Sequence, residues 1–410
     1  MHHLSTPPSR ERLLVIGNGM AGIRLVEEVL ERAPDRFDIT ILGAEPRPAY
    51  NRILLSPVLA GERVADDILI HEPGWYARHG VTLHTGVTVQ ALQPEARRVV
   101  ATDGRAFTYD RLVLATGSDP VVPPLPGVRL PGVVRFRDVE DVTSMLAQAG
   151  AGRRAVVIGG GLLGLEAAYG LVRRGMAVTV LHLMPHLMER QLDAEAAGLL
   201  RGALEARGIA ILTGAATQEI TGTDHVTGVR LVDGQTLPAD LVVLAIGVRP
   251  RVELPRAAGL EIARGIVVDD ALCTSRPGIY ALGECAEHRG ICHGLVAPLY
   301  EMARALATHL AGEAGHYVPS PTATRLKVTG IDLFSAGDFA GGPGSEDIVL
   351  RDPRMGHYAR LVVRDDRLVG AVLCGDTTDA GFFFDLIQSG RDIDPIRDTL
   401  IFGPALCAAA

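Results

Sequence analysis

The 410-residue sequence predicts an α/β protein with two similar parallel-sheet domains, followed by a smaller α+β domain. An apolar run, a glycine-rich turn and a helical pattern follow one another near the N-terminus, and the same order returns roughly 140 residues further on. From about Tyr317, short alternating stretches replace this plan and indicate an antiparallel sheet. We therefore expect two Rossmann-like domains and a C-terminal α+β domain.

The first glycine-rich turn, Gly17-Asn18-Gly19-Met20-Ala21-Gly22, directly follows the apolar run Leu13-Leu14-Val15-Ile16. We expect a helix from Met20 to about Arg32 and a second strand at 37–42 after it. Glycines at this spacing let the backbone approach a pyrophosphate, and the helix N-terminus supplies N–H groups and a positive dipole. The residues of this turn predicted to bind a dinucleotide are Gly17, Gly19, Met20, Ala21 and Gly22.

The second turn, Gly159-Gly160-Gly161-Leu162-Leu163-Gly164, follows the apolar run Ala155-Val156-Val157-Ile158. One such motif is weak evidence, because glycine turns between a strand and a helix are common. Two of them indicate two dinucleotide sites, and the economical interpretation is one tightly held FAD and one exchangeable NAD(P)H. The candidate binding residues here are Gly159, Gly161, Leu162, Leu163 and Gly164.

The residue that ends the second strand of such a fold contacts the ribose. In the first domain this residue is Glu45, for which a solvated loop acid is the alternative. In the second domain it is His182, so an acid that would repel a 2′-phosphate is absent there. No Arg lies within 182–188 to bind that phosphate, and we expect both NADH and NADPH to be used, with NADH somewhat preferred.

Three further apolar strands end in small or acidic residues. Glu284 follows one of them and is placed to bind a polyol chain, with a helix-capping acid as the alternative. We include as candidate cofactor-binding residues Ala115, Thr116, Gly117, Gly247, Gly283 and Glu284.

Composition narrows the function classes. The formal net charge of −8, without a basic cluster, argues against nucleic acid as a partner. No apolar stretch has the roughly 18–20 residues of a membrane span, and the polar N-terminus lacks a signal peptide core, so we expect a cytoplasmic protein. The five cysteines include no Cys-x-x-Cys pair, and we expect no metal site.

The predicted domain division has four parts. Residues 1–120 form the first part of an FAD-binding domain, 121–245 an NAD(P)-binding domain, 246–316 the second part of the FAD-binding domain, and 317–410 an α+β interface domain. A Pro-rich stretch at 120–131 marks a linker. The last domain serves either as a homodimer interface or as a docking surface for a partner.

The motifs, taken in order, resemble those of the pyridine nucleotide–disulfide oxidoreductase superfamily over the whole sequence. They are Gly17–Gly22, Ala115-Thr116-Gly117, Gly159–Gly164 followed by Glu166, Ala245-Ile246-Gly247, and Gly283-Glu284. This resemblance implies a glutathione-reductase-like arrangement of two dinucleotide-binding domains, with FAD in the first and NAD(P)H in the second.

A closer resemblance is to the flavoprotein half of the large subunit of assimilatory NAD(P)H nitrite reductase. It rests on the segments 45–56, 182–185, 191–193, 283–290, 294–298, 326–337 and 375–379. Related flavoproteins feed electrons to assimilatory nitrate reductase. That large subunit continues into cysteine-rich iron–sulfur and sirohaem-binding regions, whereas this sequence ends at Ala410, so we expect no nitrite reduction by that route.

The position after Leu55-Ser56 separates subfamilies. NADH oxidases, peroxidases and coenzyme A disulfide reductases resemble one another in carrying a redox Cys there, and ferredoxin or rubredoxin reductases often carry Lys. Here the residue is Pro57, and no dithiol pair exists elsewhere in the sequence. Disulfide reduction is therefore not expected, because it needs an exchanging thiolate near the flavin.

The resemblance implies an FAD-dependent NAD(P)H oxidoreductase that passes electrons to an iron–sulfur or haem-type acceptor protein, such as a nitrite or nitrate reductase component, a rubredoxin or a ferredoxin. It places Arg47 and Arg52 on FAD and Glu166 near the nicotinamide; the alternatives are surface Arg residues and a helix-dipole acid. Lys327, the only Lys, is a candidate near the flavin or partner, or else a plain surface residue.

Other functions stay open. His288 and His293 are potential proton donors, but structural roles are the simpler interpretation. An NAD(P)H oxidase is the first alternative function, which the missing Cys disfavours. A non-catalytic flavin redox sensor is the second alternative, which the intact pair of glycine turns disfavours.

Overall fold

The computed structural model describes residues 10–326 and 331–407. The chain divides into two compact units, and each is treated by itself below. The first unit comprises the described residues of Met1–Ile53, Ala65–Asp119 and Val248–Pro319. The second comprises those of Leu54–Val64, Pro120–Gly247 and Ser320–Ala410.

Residues 10–120 alternate short strands with three helices. The strands are β1 (Glu11–Ile16), β2 (Phe37–Leu42), β3 (Val81–His84), β4 (Val89–Gln93), β5 (Arg98–Ala101), β6 (Ala106–Thr108), β7 (Arg111–Leu114) and β8 (Ser118–Pro120). The helices are α1 (Met20–Arg32), α2 (Leu55–Ala60) and α3 (Pro73–Arg78), with 3₁₀ turns at Arg52–Leu54 and Ala65–Ile68.

The next part of the chain repeats this alternation. Its strands are β9 (Val133–Arg135), β10 (Arg154–Ile158), β11 (Ala177–His182), β12 (Ile209–Thr213), β13 (Thr217–Gly222), β14 (Val226–Leu231), β15 (Thr236–Pro238) and β16 (Leu241–Leu244). Its helices are α4 (Val139–Gln148), α5 (Leu162–Arg173) and α6 (Ala194–Glu205).

Two shorter stretches complete the chain. The first contains β17 (Val248–Pro250), α7 (Glu253–Ala257), β18 (Ile266–Val268), β19 (Ile279–Ala281), a 3₁₀ turn (Gly283–Cys285), β20 (Ala286–His288) and α8 (Val296–Leu310). The second contains β21 (Ala323–Leu326), β22 (Leu333–Gly337), β23 (Glu346–Asp352), β24 (His357–Arg364), β25 (Arg367–Cys374), α9 (Ala380–Ser389), 3₁₀ turns at Asp394–Ile396 and Leu400–Phe402, and α10 (Pro404–Cys407).

The first unit is built on a five-stranded parallel sheet of order β3-β2-β1-β7-β19. Its strands carry continuous apolar runs because both faces of the sheet are covered, and Leu13, Val15 and Val113 are fully buried. Helix α1 packs against α8. This arrangement confirms the predicted Rossmann-like fold, since strand, glycine turn and helix follow one another as the sequence indicates.

The second unit repeats the sheet with the order β12-β11-β10-β16-β9, again parallel throughout. In both sheets an Arg at the start of one strand (β1 or β10) binds the Asp directly before the neighbouring strand (β7 or β16). The backbone N–H of Arg12 donates to Asp110 at 2.9 Å, and that of Arg154 donates to Asp240 at 2.8 Å. The internal repeat seen in the sequence is therefore a repeat of structure down to individual hydrogen bonds.

The second unit also contains the predicted antiparallel sheet, of order β21-β22-β25-β24-β23. Phe334, Leu361 and Phe383 are among the buried residues that join this sheet to α9. The antiparallel meanders β4-β5-β6 and β13-β14-β15 were not predicted from the sequence. Among the described residues, no helix combines the length and the apolar character that crossing a membrane requires.

Candidate dinucleotide sites

The first glycine turn has two packed glycines and one that faces open space. Gly17 has a φ of +117°, and a Cβ there would lie 2.1 Å from the Ala115 carbonyl oxygen. A Cβ on Gly22 would lie 2.3 Å from the carbonyl oxygen of Gly17. A Cβ on Gly19 would meet no described heavy atom within 4 Å. The middle glycine therefore leaves room for a phosphate, while the outer two permit the tight turn.

The second turn repeats this arrangement. Gly159 has a φ of +124°, and its Cβ would lie 2.2 Å from the Ala245 carbonyl oxygen. A Cβ on Gly164 would lie 2.0 Å from the carbonyl oxygen of Gly159, whereas one on Gly161 would meet no described heavy atom within 4 Å. Both turns thus bring the end of a neighbouring strand, Ala115 or Ala245, against the first glycine.

The helices that follow these turns begin without a capping side chain within the described part of the chain. Gly19 precedes α1 and Gly161 precedes α5, and neither position supplies an acceptor. By contrast, Asp138 caps α4 and Asp193 caps α6 with side-chain oxygens. The first N–H groups of α1 and α5 are therefore available to an anionic ligand, and both turns fit a dinucleotide pyrophosphate.

Around the first turn, Glu45 is already engaged. Its carboxylate accepts hydrogen bonds from the Tyr50 hydroxyl, at 2.6 Å, and from the Arg52 guanidinium. Arg47 is half-buried, and no described residue accepts a hydrogen bond from its side chain. Of the two predicted arginines, Arg47 is thus the one that the protein leaves available to a phosphate, whereas Arg52 is held by Glu45.

The acid predicted at the polyol chain lies beside this turn. Gly283 has a φ of +85° and lies close to α1, because a Cβ there would lie 3.1 Å from the Cβ of Ala21. Glu284 follows it and accepts a hydrogen bond of 2.8 Å from the Ser118 hydroxyl. Ser118 comes directly after the predicted 115–117 segment, so the structure brings these separate sequence motifs to one place.

Around the second turn, the end of strand β11 makes side-chain hydrogen bonds that the sequence did not predict. His182 is buried; its Nδ1 accepts a hydrogen bond of 3.1 Å from the Gly160 N–H, and its Nε2 lies 3.0 Å from Oε2 of Glu189. The sequence pattern did not identify Glu189, since it lies seven residues beyond the strand in an irregular loop. Gly247, with a φ of +109°, is exposed at the end of the neighbouring segment.

Glu166 lies one turn into α5 and contacts α2. The Ser56 hydroxyl donates a hydrogen bond of 2.5 Å to Oε2 of Glu166, and burial raises the pKa of this carboxyl above its usual range. The two helices pack closely, because a Cβ on Gly170 would lie only 2.7 Å from Cγ of Leu59. Arg174 further ties them by donating to the Leu59 carbonyl oxygen at 2.7 Å.

The remaining candidates have other placements. Lys327 lies outside the described residues. Nε2 of the fully buried His288 is 2.8 Å from Oδ1 of Asp270. Nε2 of His293 is 3.1 Å from the Tyr317 hydroxyl, and burial lowers the pKa of His293. Both histidines therefore have specific protein partners.

None of the five cysteines, all within the described residues, forms a disulfide. Burial raises the pKa of Cys273 and of Cys374 to about 11, and it raises the pKa of Cys285 and Cys292 as well. At neutral pH these four thiols are therefore protonated, which is the unreactive form in disulfide exchange.

Two Rossmann-like sheets, each with a glycine turn fitted to a pyrophosphate, define a two-dinucleotide oxidoreductase. Residues 11–307 match the family model described as pyridine nucleotide-disulphide oxidoreductase, and residues 322–391 match the rubredoxin NAD+ reductase C-terminal domain. The chain belongs to the pyridine nucleotide-disulphide oxidoreductase family. It is an oxidoreductase that uses FAD and NAD(P)H, as the sequence predicted.

Curated relatives and a solved structure agree with this assignment. The chain is 48% identical to a nitrite reductase (NAD(P)H) of Bacillus subtilis (strain 168), over 96% of the chain and 49% of that protein. It is 44% identical to the assimilatory nitrate reductase electron transfer subunit of the same organism, over 96% of the chain and 51% of that protein. It thus spans about half of each relative. The structure of putidaredoxin reductase in a covalent complex with putidaredoxin matches with a TM-score of 0.88 and 27% identity, over 98% of this chain and 99% of that one.

Proposed function

We propose that the chain passes electrons from NAD(P)H through FAD to a separate iron–sulfur or haem-type protein in nitrite or nitrate assimilation. The observation that carries this proposal is the start of α2, where Ser56 and Pro57 stand and Ser56 donates to Glu166. A thiol at this position would support peroxide, oxygen or disulfide chemistry. Pro57 at that position carries no thiol, which favours electron transfer to an outside acceptor as the function.

The second glycine turn is the proposed NAD(P)H site. The N–H groups at the start of α5 hold the pyrophosphate, and Gly161 lets the backbone approach it. Leu162, Leu163 and Gly247 line the same site in this proposal. Glu166 orients the nicotinamide carboxamide, and burial raises the pKa of its carboxyl above the usual range.

The first glycine turn is the proposed FAD site. FAD held there would supply the two-electron and one-electron redox chemistry that amino-acid side chains do not supply. Arg47 and the N–H groups of α1 hold the phosphates, and Glu45 binds a ribose with Arg52 and Tyr50 fixing its carboxylate. Glu284, oriented by Ser118, binds the polyol chain.

The names of the relatives support the proposed acceptor. The two Bacillus subtilis proteins carry the names of nitrite reductase and of a nitrate reductase electron transfer subunit. A rubredoxin or ferredoxin is the alternative acceptor, supported by the match of residues 322–391 and by the putidaredoxin complex.

We also propose the four-part domain division given above and a cytoplasmic location. In this proposal, residues 317–410 form the surface for the partner or for a homodimer.

The proposal is tested by comparing acceptors for the FAD-loaded protein under steady-state turnover with NADH. We expect ferricyanide, and a ferredoxin or rubredoxin supplied as a purified protein, to be reduced at least tenfold faster than oxygen is consumed. Oxygen consumption as fast as ferricyanide reduction would instead identify an oxidase. Failure of NADH to bleach the flavin at all would identify a non-catalytic flavin protein.

A further inference from the structure

A carboxylate is fixed beside the second glycine turn by a histidine bridge. The Gly160 N–H donates to Nδ1 of His182, so the ring proton of the neutral imidazole is on Nε2. Nε2 then donates to Oε2 of Glu189, 3.0 Å away. His182 therefore links the backbone of the glycine turn to an acid that is distant along the sequence.

The loop backbone reinforces this bridge. The Met188 N–H donates to the Gly160 carbonyl oxygen at 3.1 Å, and Met188 adopts a left-handed φ of +51° to do so. A Cβ on Gly160 would lie 2.6 Å from Cδ2 of Leu187 and 2.7 Å from Cγ of His182. Because the loop backbone at Met188 and the His182 ring both contact Gly160, the second glycine turn fixes the position of Glu189.

Glu189 is accessible where His182 is not. The Glu189 side chain is 28% exposed, against 9% for His182. In the part of the chain that the structure describes, no second side chain donates to this carboxylate, so Oε1 is available as an acceptor. The end of the second strand beside the glycine turn is where a dinucleotide presents its adenosine ribose.

We propose that Glu189 is the residue that distinguishes NADH from NADPH, and that His182 is a positioning residue that holds it. Glu189 accepts a hydrogen bond from the ribose 2′-hydroxyl, and its charge repels a 2′-phosphate. The inference rests on the proposed NAD(P)H site at the second glycine turn. It predicts a clearer preference for NADH than the sequence pattern alone does, because that pattern has His182 and no acid at the end of the strand.

The test removes the charge of the Glu189 side chain and keeps its shape. In Glu189→Gln, the amide oxygen can still accept a hydrogen bond from Nε2 of His182. Binding of NAD+ and of NADP+ to the FAD-loaded protein is measured by calorimetry. One charge at this range changes binding by about tenfold at protein-surface dielectric and ordinary salt. We expect the ratio of the NADP+ to the NAD+ dissociation constant to fall about tenfold. Glu205→Gln, which removes an exposed acid paired with Arg201 on α6, is the matched control and leaves the ratio unchanged.

A double-mutant cycle tests the positioning role of His182. His182→Asn removes the bridge, so the ratio falls by less than in Glu189→Gln. In the double variant it falls no further than in Glu189→Gln alone. If His182 had only a structural role, both dissociation constants would rise together and the ratio would not move.

The inference would be overturned by an unchanged ratio in Glu189→Gln, whether both dissociation constants keep their wild-type values or both rise by the same factor. Either result, with NADH still bleaching the flavin of the wild-type protein, would leave the NADH site intact and remove only the role of Glu189. Absence of flavin bleaching in the wild-type protein would instead remove the site on which the inference rests.

Discussion

The hydroxyl of Ser56 donates a hydrogen bond of 2.5 Å to the carboxylate of Glu166, 110 residues away in the sequence. Burial raises the pKa of Glu166, and the serine hydrogen bond acts against that rise. The pair joins α2 to α5, so the residue directly before Pro57, the position that separates thiol-dependent families, contacts the acid proposed at the nicotinamide. Its titration gives the first prediction.

Glu166→Gln is expected to become more stable relative to the wild type as pH rises from 4.5 to 8. The unfolded carboxyl titrates near 4.5 and the folded one above it, so the stability that Glu166 contributes is present below 4.5 and lost as pH rises through the folded pKa. We therefore expect the melting midpoint of the variant to rise relative to that of the wild type over this pH range. Thermal melting at pH 4.5, 6 and 8 measures it.

Ser56→Ala serves as the opposing control for that series. Without the hydroxyl the pKa of Glu166 rises further, so this variant should lose more stability than the wild type over the same pH range. Identical pH dependence in all three proteins would show that Glu166 is not buried as the structure places it.

Gly19→Val should fold normally and purify without flavin. Gly19 has an extended φ of −92°, and a Cβ there has no described neighbour within 4 Å, so the protein itself tolerates valine. The branched side chain would occupy the space that a pyrophosphate needs. Flavin absorbance per chain, together with circular dichroism, measures the outcome, and a yellow, fully active variant would remove the FAD assignment.

Gly17→Ala separates ligand loss from misfolding in the same turn. Its Cβ would lie 2.1 Å from the Ala115 carbonyl oxygen at a φ of +117°, so we expect loss of the fold rather than loss of flavin alone. Normal folding of this variant would contradict the packing described for the turn.

Asp110→Asn should lower the melting midpoint at pH 7 by an amount that shrinks as pH falls from 4 to 2. Arg12 holds the pKa of Asp110 at about 2 through three hydrogen bonds, whereas the unfolded carboxyl titrates near 3.8. The stability that ionised Asp110 contributes is present above pH 3.8 and is lost as the pH falls through 2. This contribution is about 1 kcal/mol, because the pair of Arg12 and Asp110 is partly exposed.

The comparison for Asp110 is Asp103→Asn, which removes an exposed acid paired with Arg105 in a hairpin. We expect a smaller change in melting midpoint for this variant at pH 7. Equal effects of the two substitutions would mean that the bonds between Arg12 and Asp110 stabilise the fold no more than an exposed ion pair does.

Much of this fold could be predicted because its signals are local. The glycine turns, their apolar strands and the helix Met20–Arg32 lie within short windows of sequence, and the structure has them as expected. The meanders escaped prediction because their strands are short, with β6 and β15 only three residues long. Two other features could not be predicted, because they depend on contacts between distant parts of the fold. They are the hydrogen bond between His182 and Glu189 and the packing of α2 on α5.

The assignment of FAD to the first glycine turn and of NAD(P)H to the second is tested most directly by Gly161→Val. The variant protein is mixed with NADH in an anaerobic stopped-flow experiment. A Cβ on Gly161 meets no described atom within 4 Å, so the variant should fold and keep its flavin. We predict a yellow protein that dithionite bleaches but NADH does not, beside a wild type that NADH bleaches rapidly. A Gly161→Val protein that is colourless, or that NADH bleaches at the wild-type rate, would contradict the assignment of FAD to the first turn and NAD(P)H to the second.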